Sequence, residues 1–179
     1  MTRFILAALL ALALANSSLA EPGWTLKKSE NPALFAFTQT IQSNLNIKAI
    51  GFACEVANGV KALQLQIYTK GGGPLAPSGV SRGQLKDEPR AQFVVDGRTF
   101  PAMLDYAGDY ALLTSDVEGI FPMLSDDIMK AVVSGKTLTL RFDLRKKPAA
   151  GAGEFDSEAI VDLTGGTTAI AAVRQRCAR

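Results

Sequence analysis

The chain has 179 residues, with 19 basic side chains against 17 acidic ones and no histidine. So even a balance gives no global field to draw it onto nucleic acid or anionic lipid. The missing imidazole removes every Ser-His-Asp and Cys-His arrangement, because nothing is left to act as their base.

Met1–Ala20 has three parts: a short positive start at Arg3, an unbroken apolar run from Phe4 to Ala15, and small residues at Ser18 and Ala20. This is the pattern of a cleavable export signal, with cleavage expected before Glu21. Asn16-Ser17-Ser18 interrupts the run before it reaches the roughly 20 apolar residues of a membrane span. A cysteine for lipid attachment is also missing, since Glu21 follows the small residues. No later stretch is long enough to span, so no stable membrane insertion is expected after cleavage. The expected address is the periplasm or the exterior, and residues 21–179 are expected to form a single β-rich domain.

Trp24 opens that domain, and an early lone tryptophan reads as a plug for the end of a small core. Leu34–Ile41 alternates as a first strand. Ile47–Val56 is a second, with Ile50, Phe52 and Cys54 on one face at period two. Asn58-Gly59 supplies a tight hairpin turn. The return strand is Ala62–Thr69, where Leu63, Leu65 and Ile67 alternate with Gln64, Gln66 and Tyr68. Lys70–Arg90 is dense in glycine and proline and is expected to be a long mobile loop, open to trypsin at Arg82 or Lys86. Phe93-Val94-Val95 and Thr99-Phe100 flank Asp96-Gly97, a second hairpin. Tyr110–Ser115 gives a further short strand.

Helical period appears twice. Ser125 caps a helix whose first turn carries Asp126 and Asp127, suited to the positive end of the helix dipole. Its buried stripe is Ile128, Met129, Val132 and Val133, and Gly135 stops it. Thr137–Leu144 is a strand, and another follows near Phe155–Leu163. The last element is a helix from about Thr168, with Ile170, Val173 and Cys177 on one stripe.

The two cysteines are an even pair in a chain expected to be exported, which favours a Cys54–Cys177 disulfide. Both lie on apolar faces, so the terminal helix is expected to be tethered to the sheet. Two thiolates without histidine do not complete a tetrahedral shell, so no metal is expected. Gly135-Lys136-Thr137 looks like the tail of a phosphate-binding loop. However, Lys130 stands where the first glycine is needed, and a strand rather than a helix follows. Asp105, Asp109, Asp116 and Glu118 are the carboxylates closest in sequence. They read as rim and turn acids, and their spacing misses the calcium-loop pattern. Arg145-Lys146-Lys147 reads as a solvated loop end. No catalytic or cofactor-binding residue is assigned.

Trp24, the helix start Ser125-Asp126-Asp127-Ile128, the run from Gly135 through Leu138-Thr139-Leu140-Arg141-Phe142, and the tail Asp162-Leu163-Thr164-Gly165 with Ala169 and Ala172 resemble the invasion-associated locus B family of bacterial envelope proteins. The likeness covers mainly the last third, and the family's cysteine-rich segment after the tryptophan is missing here. It implies a periplasmic β-sandwich with no known catalytic role. Phe52-Ala53-Cys54-Glu55 ahead of Asn58-Gly59-Val60 is similar to the cysteine-bearing hairpin of periplasmic lysozyme inhibitors. The expected fold is α+β and mainly β: an antiparallel β-sandwich with two short helices. The expected function is a non-catalytic envelope protein that binds a protein partner, with inhibition of a cell-wall hydrolase as the alternative.

Overall fold

The alternating runs are strands, and the register between them decides the architecture. The computed structural model of the chain describes residues 23–28, 34–57, 59–118, 121–147, 151 and 153–178. The export signal and the cleavage position before Glu21 lie outside the described residues. So does Asn58 of the first hairpin turn.

The strands are β1 Thr25–Lys28, β2 Leu34–Thr38, β3 Gln42–Ser43, β4 Ile47–Ala57, β5 Val60–Thr69, β6 Leu85–Val95, β7 Arg98–Ala107, β8 Tyr110–Thr114, β9 Asp116–Glu118, β10 Phe121–Met123, β11 Thr137–Arg145 and β12 Ser157–Asp162. The helices are α1 Asp126–Ser134 and α2 Thr167–Cys177. Ten strands form one sheet in the order β1-β2-β4-β5-β8-β7-β6-β11-β12-β3, and β9 with β10 makes a separate small ladder. Every pairing is antiparallel.

The expected two packed sheets are therefore one sheet, strongly curled into a half-barrel that approximates a sandwich. The bend is made by β7. Its first half, Arg98–Ala102, pairs with β6, and its second half, Met103–Ala107, pairs with β8. A strand that changes partners midway turns the corner between two packed layers. The Asp96-Gly97 turn before it has positive φ at both positions, 47° and 85°, the backbone of a type I′ hairpin.

The concave side holds the core. Phe52 of β4, Phe93 of β6 and Phe142 of β11 are fully buried, with Ile50, Leu65, Ile67, Leu138 and Leu140 around them. Burying such a side chain stabilises by about 1.5–3 kcal/mol. The two helices close the open side. In α1 the Ser125 hydroxyl accepts from the amide of Ile128, and Ile128, Met129 and Val132 are buried. Val133 is only half-buried. Helix α2 packs over β2, β4 and β5 through Ile170, Val173 and Cys177. Its cap residue, Gly166, offers no side-chain hydrogen bond. The helix is held instead by the Cys54–Cys177 disulfide, with Cα atoms 5.5 Å apart. No described helix is long and apolar enough to cross a membrane.

Trp24 plugs the core as expected. Its ring stacks on Phe52 at 5.8 Å between centroids.

The long loop is shorter and better anchored than its composition implied. Residues Leu85–Arg90 belong to β6 despite Pro89, and a register shift opposite them, between Asp143 and Arg145, accommodates the irregular ladder. Residues 70–84 carry two single 3-10 turns, Lys70–Gly72 and Arg82–Gln84. Between them Leu75 is fully buried. Asn46 fixes that part. Its side-chain amide donates to the carbonyl of Pro74 at 2.9 Å and its oxygen accepts from the amide of Ala76 at 3.0 Å. Its main chain bonds Ala76 and Lys70 as well.

Candidate functional site

The acids closest in sequence are spread over three elements. Asp105 is exposed on the outer end of β7, where its carboxylate accepts from the next amide, that of Tyr106. Asp109 is exposed in the β7–β8 turn, and Asp116 and Glu118 lie on the separate β9–β10 ladder. No group of three or more acid, cysteine or histidine side chains among the described residues is arranged to hold a metal.

Gly135-Lys136-Thr137 is also occupied. In a phosphate-binding loop these amides would face the phosphate. Here the two oxygens of Asp96 take the amides of Lys136 and Thr137, each at 2.9 Å. A Cβ on Gly135 would meet Val95 and Asp96, so this glycine lets the β6–β7 turn approach, beyond ending the helix. It does so with an ordinary negative φ.

Asp143 on β11 is the most buried charge among the described residues, at 4% exposure. Lys86 and Arg90 of β6 bond it at 2.6 and 2.8 Å, and Arg90 reaches on to Glu154 at 2.8 Å. Burial alone would push this carboxyl up, but the hydrogen bonds and charges of Lys86 and Arg90 outweigh it and hold it below the ordinary value. The group clamps the irregular part of β6 to β11, with the Asp143 carboxylate buried and the cations and Glu154 partly in water.

The convex face of the β2–β4–β5–β8 layer is different. Period two puts Phe35 and Phe37 of β2, Ala49, Gly51 and Ala53 of β4, Gln64, Gln66 and Tyr68 of β5, and Tyr110 of β8 on the side away from the core. Register aligns them in rows: Phe37, Gly51 and Gln66 lie abreast, as do Ala49, Tyr68 and Tyr110. Small residues along β4 thus make the floor of a trough with rings on either side, buried at Gly51 and Ala53 and half-open at Ala49. The walls stand two strand spacings, roughly 10 Å, apart. Phe35 and Phe37 lie 5.7 Å apart, and Tyr68 and Tyr110 lie 5.6 Å apart. Where the trough meets the Gly71-Gly72 turn it encloses a cavity of about 410 Å³, rimmed by Lys27, Lys48 and Asp109.

These walls are held in place. The Tyr68 hydroxyl donates to the oxygen of Gln66 at 2.7 Å, and the Gln66 amide donates to Glu55 at 2.8 Å. Lys27 sits 5.2 Å above the Phe37 ring, a cation–π contact. Burial first, then Tyr110, Asp109 and Glu55, pushes the Tyr68 phenol up to about 12. Tyr110 is raised by burial, Glu55 and Asp109. The face thus combines aromatic walls, small residues between them and a few polar tips. The outward alternation of Gln64, Gln66 and Tyr68 was visible in the sequence. Its alignment with Phe35 and Phe37 across β4 was not.

Comparison of the chain with protein-family models, with curated proteins and with solved structures finds no match.

Proposed function

We propose that this is an exported, non-catalytic protein of the cell envelope that binds a protein partner along the β4 trough. The observation that carries the reading is the prearranged pair of aromatic walls, Phe35 and Phe37 facing Tyr68 and Tyr110, above a floor without bulky side chains. Tyrosine and phenylalanine held in place lose little conformational freedom on binding, so their buried area converts efficiently into affinity. An extended segment or narrow ridge of the partner would enter at the Ala49 end of the trough, where the cavity opens between Phe37 and Tyr68. A disulfide across the core agrees with an oxidising compartment.

The test is capture from envelope extract by wild type, by Phe37→Ala with Tyr110→Ala, and by Arg141→Gln on the convex face of the other layer. A partner retained by wild type and Arg141→Gln but lost from the trough variant supports the reading, and equal capture by all three refutes it. N-terminal sequencing of protein recovered from the envelope should start at Glu21. Assays of peptidoglycan turnover and of lysozyme inhibition in the same series separate the enzyme and hydrolase-inhibitor readings.

A further inference from the structure

The open end of the trough owes its charge to one extra residue. Ile47 pairs with Thr69 and Ala49 with Tyr68, so Lys48 is a bulge in that ladder. Strict alternation would put Ile47 on the same side as Ala49, yet Ile47 lies in the core. The bulge absorbs the change of parity, and as a result Lys48 and Ala49 both line the cavity between Phe37 and Tyr68. Without it, two successive residues of β4 would face opposite sides of the sheet.

Lys27 reaches the same cavity from β1, where it stands opposite Phe35 and extends over the Phe37 ring. Both cations thus lie on the β1–β4 side, and neither pairs with a carboxylate among the described residues. Asp109 stands on the β8 side. The mouth is therefore polarised across its width, with two positive charges facing one negative charge. Its hydroxyls are turned to the protein itself, since Tyr68 donates to Gln66 and Thr69 donates to the carbonyl of Gly73. Ring walls whose donors are already spent suit an apolar group better than a sugar.

Taking the trough as the partner-binding surface, we infer that the segment it receives is an acidic one. An extended stretch of the partner inserts an aromatic side chain between Phe37 and Tyr68 and carries a carboxylate two positions away. Residues two apart share one face of an extended chain, roughly 7 Å from each other. The carboxylate then meets Lys48 or Lys27 while the ring fills the slot. Asp109 repels it from the β8 side, which fixes the orientation of the segment.

Titration of the ¹⁵N-labelled protein with three blocked heptapeptides tests this. Each is a glycine chain with phenylalanine at its centre and glutamate, glutamine or lysine two places to either side. At low salt the glutamate peptide should bind about threefold more tightly than the glutamine peptide, the size of a partly exposed ion pair. It should move the amide signals of Ala49, Tyr68 and Gly72. Lys48→Gln should reduce that preference, Lys48→Glu should turn it toward the lysine peptide, and Asp109→Asn should increase it. Equal binding of the glutamate and glutamine peptides by wild type, or an unchanged preference in Lys48→Glu, overturns the inference. In that event, binding of the glutamine peptide that is lost in Phe37→Ala keeps the trough as a binding surface. Absence of binding by all three peptides counts against both readings. Saturable binding of a galacturonate oligomer in place of the glutamate peptide overturns the inference in favour of an acidic glycan. The same spectra show whether each variant is folded.

Discussion

The indole Nε1 of Trp24 donates to the main-chain carbonyl of Asp162 at 2.9 Å. Trp24 leads into β1 at one edge of the sheet, while Asp162 ends β12, next to the opposite edge. The bond therefore spans the mouth of the half-barrel, and stacking on Phe52 ties it to the core. A Cβ on Gly166 would fall within the indole ring. Trp24→Phe should keep the stacking and lose about 1 kcal/mol with the hydrogen bond, whereas Trp24→Ala should lose about 3 kcal/mol. Gly166→Ala should displace the ring. As this is the sole tryptophan of the chain, its fluorescence should shift to the red in that variant. Unchanged emission would show that the indole is not wedged there.

The disulfide closes a separation of 123 residues. The chain-entropy model assigns such a loop roughly 4–5 kcal/mol, with measured values often nearer 2–4. Cys177→Ser should therefore melt well below wild type. Amide exchange should show α2 loosening first, because its cap is weak and an isolated helix of this length is marginal. The intact protein should weigh two hydrogens less before reduction than after. Two freely alkylated thiols in protein purified without reductant would remove the basis of this prediction.

Trypsin discriminates between a mobile loop and an anchored one. Lys86 is bound to Asp143 within β6, while Arg82 is exposed on its 3-10 turn. Early cleavage is expected at Arg82 and not at Lys86. Asn46→Ala removes both side-chain bonds to residues 74–76, so cleavage throughout 70–84 should accelerate. Equal rates in the two proteins would mean that Asn46 does not hold the segment.

Two titrations should bound the stability profile. Asp143 has a folded value below its ordinary 3.8, so its contribution is complete above that pH and is lost as pH falls through the depressed value. Asp143→Asn should flatten this acid limb and cost about 1–2 kcal/mol near neutrality, the cations being partly in water. Tyr68 works in the opposite direction. Its phenol is pushed from 10.0 up to about 12, so its contribution is complete below pH 10 and is lost between 10 and 12. The phenolate absorbance of Tyr68→Phe, compared with wild type, should lack this late step.

Local chemistry was legible in the sequence where one residue's neighbours decide its state. Period two placed Ile50, Phe52 and Cys54 inward, helical period placed Cys177 toward them, and Ser125 with its two aspartates marked the start of α1. Pro89 and the charges beside it hid the first half of β6, because a strand can carry them where its partner is irregular. The single curled sheet was not legible either. It depends on which half of β7 meets which neighbour, and that is a long-range pairing without a local signature. The trough is hidden for the same reason. Phe37, Gly51 and Gln66 are ordinary strand residues until register sets them in one row.

Alternation along β7 runs unbroken through its change of partners, with Phe100, Ala102 and Leu104 packed inward and Asp105 exposed. Both layers thus take their inside and outside from a single parity carried on one strand. One residue inserted between Ala102 and Met103 would invert that parity for β8 alone, driving Asp105 into the core and Leu104 into water, while β6 kept its native sense. Substitutions at this corner should be tolerated by size and polarity, but changes in its length should not, and a two-residue insertion should do less harm than a single one.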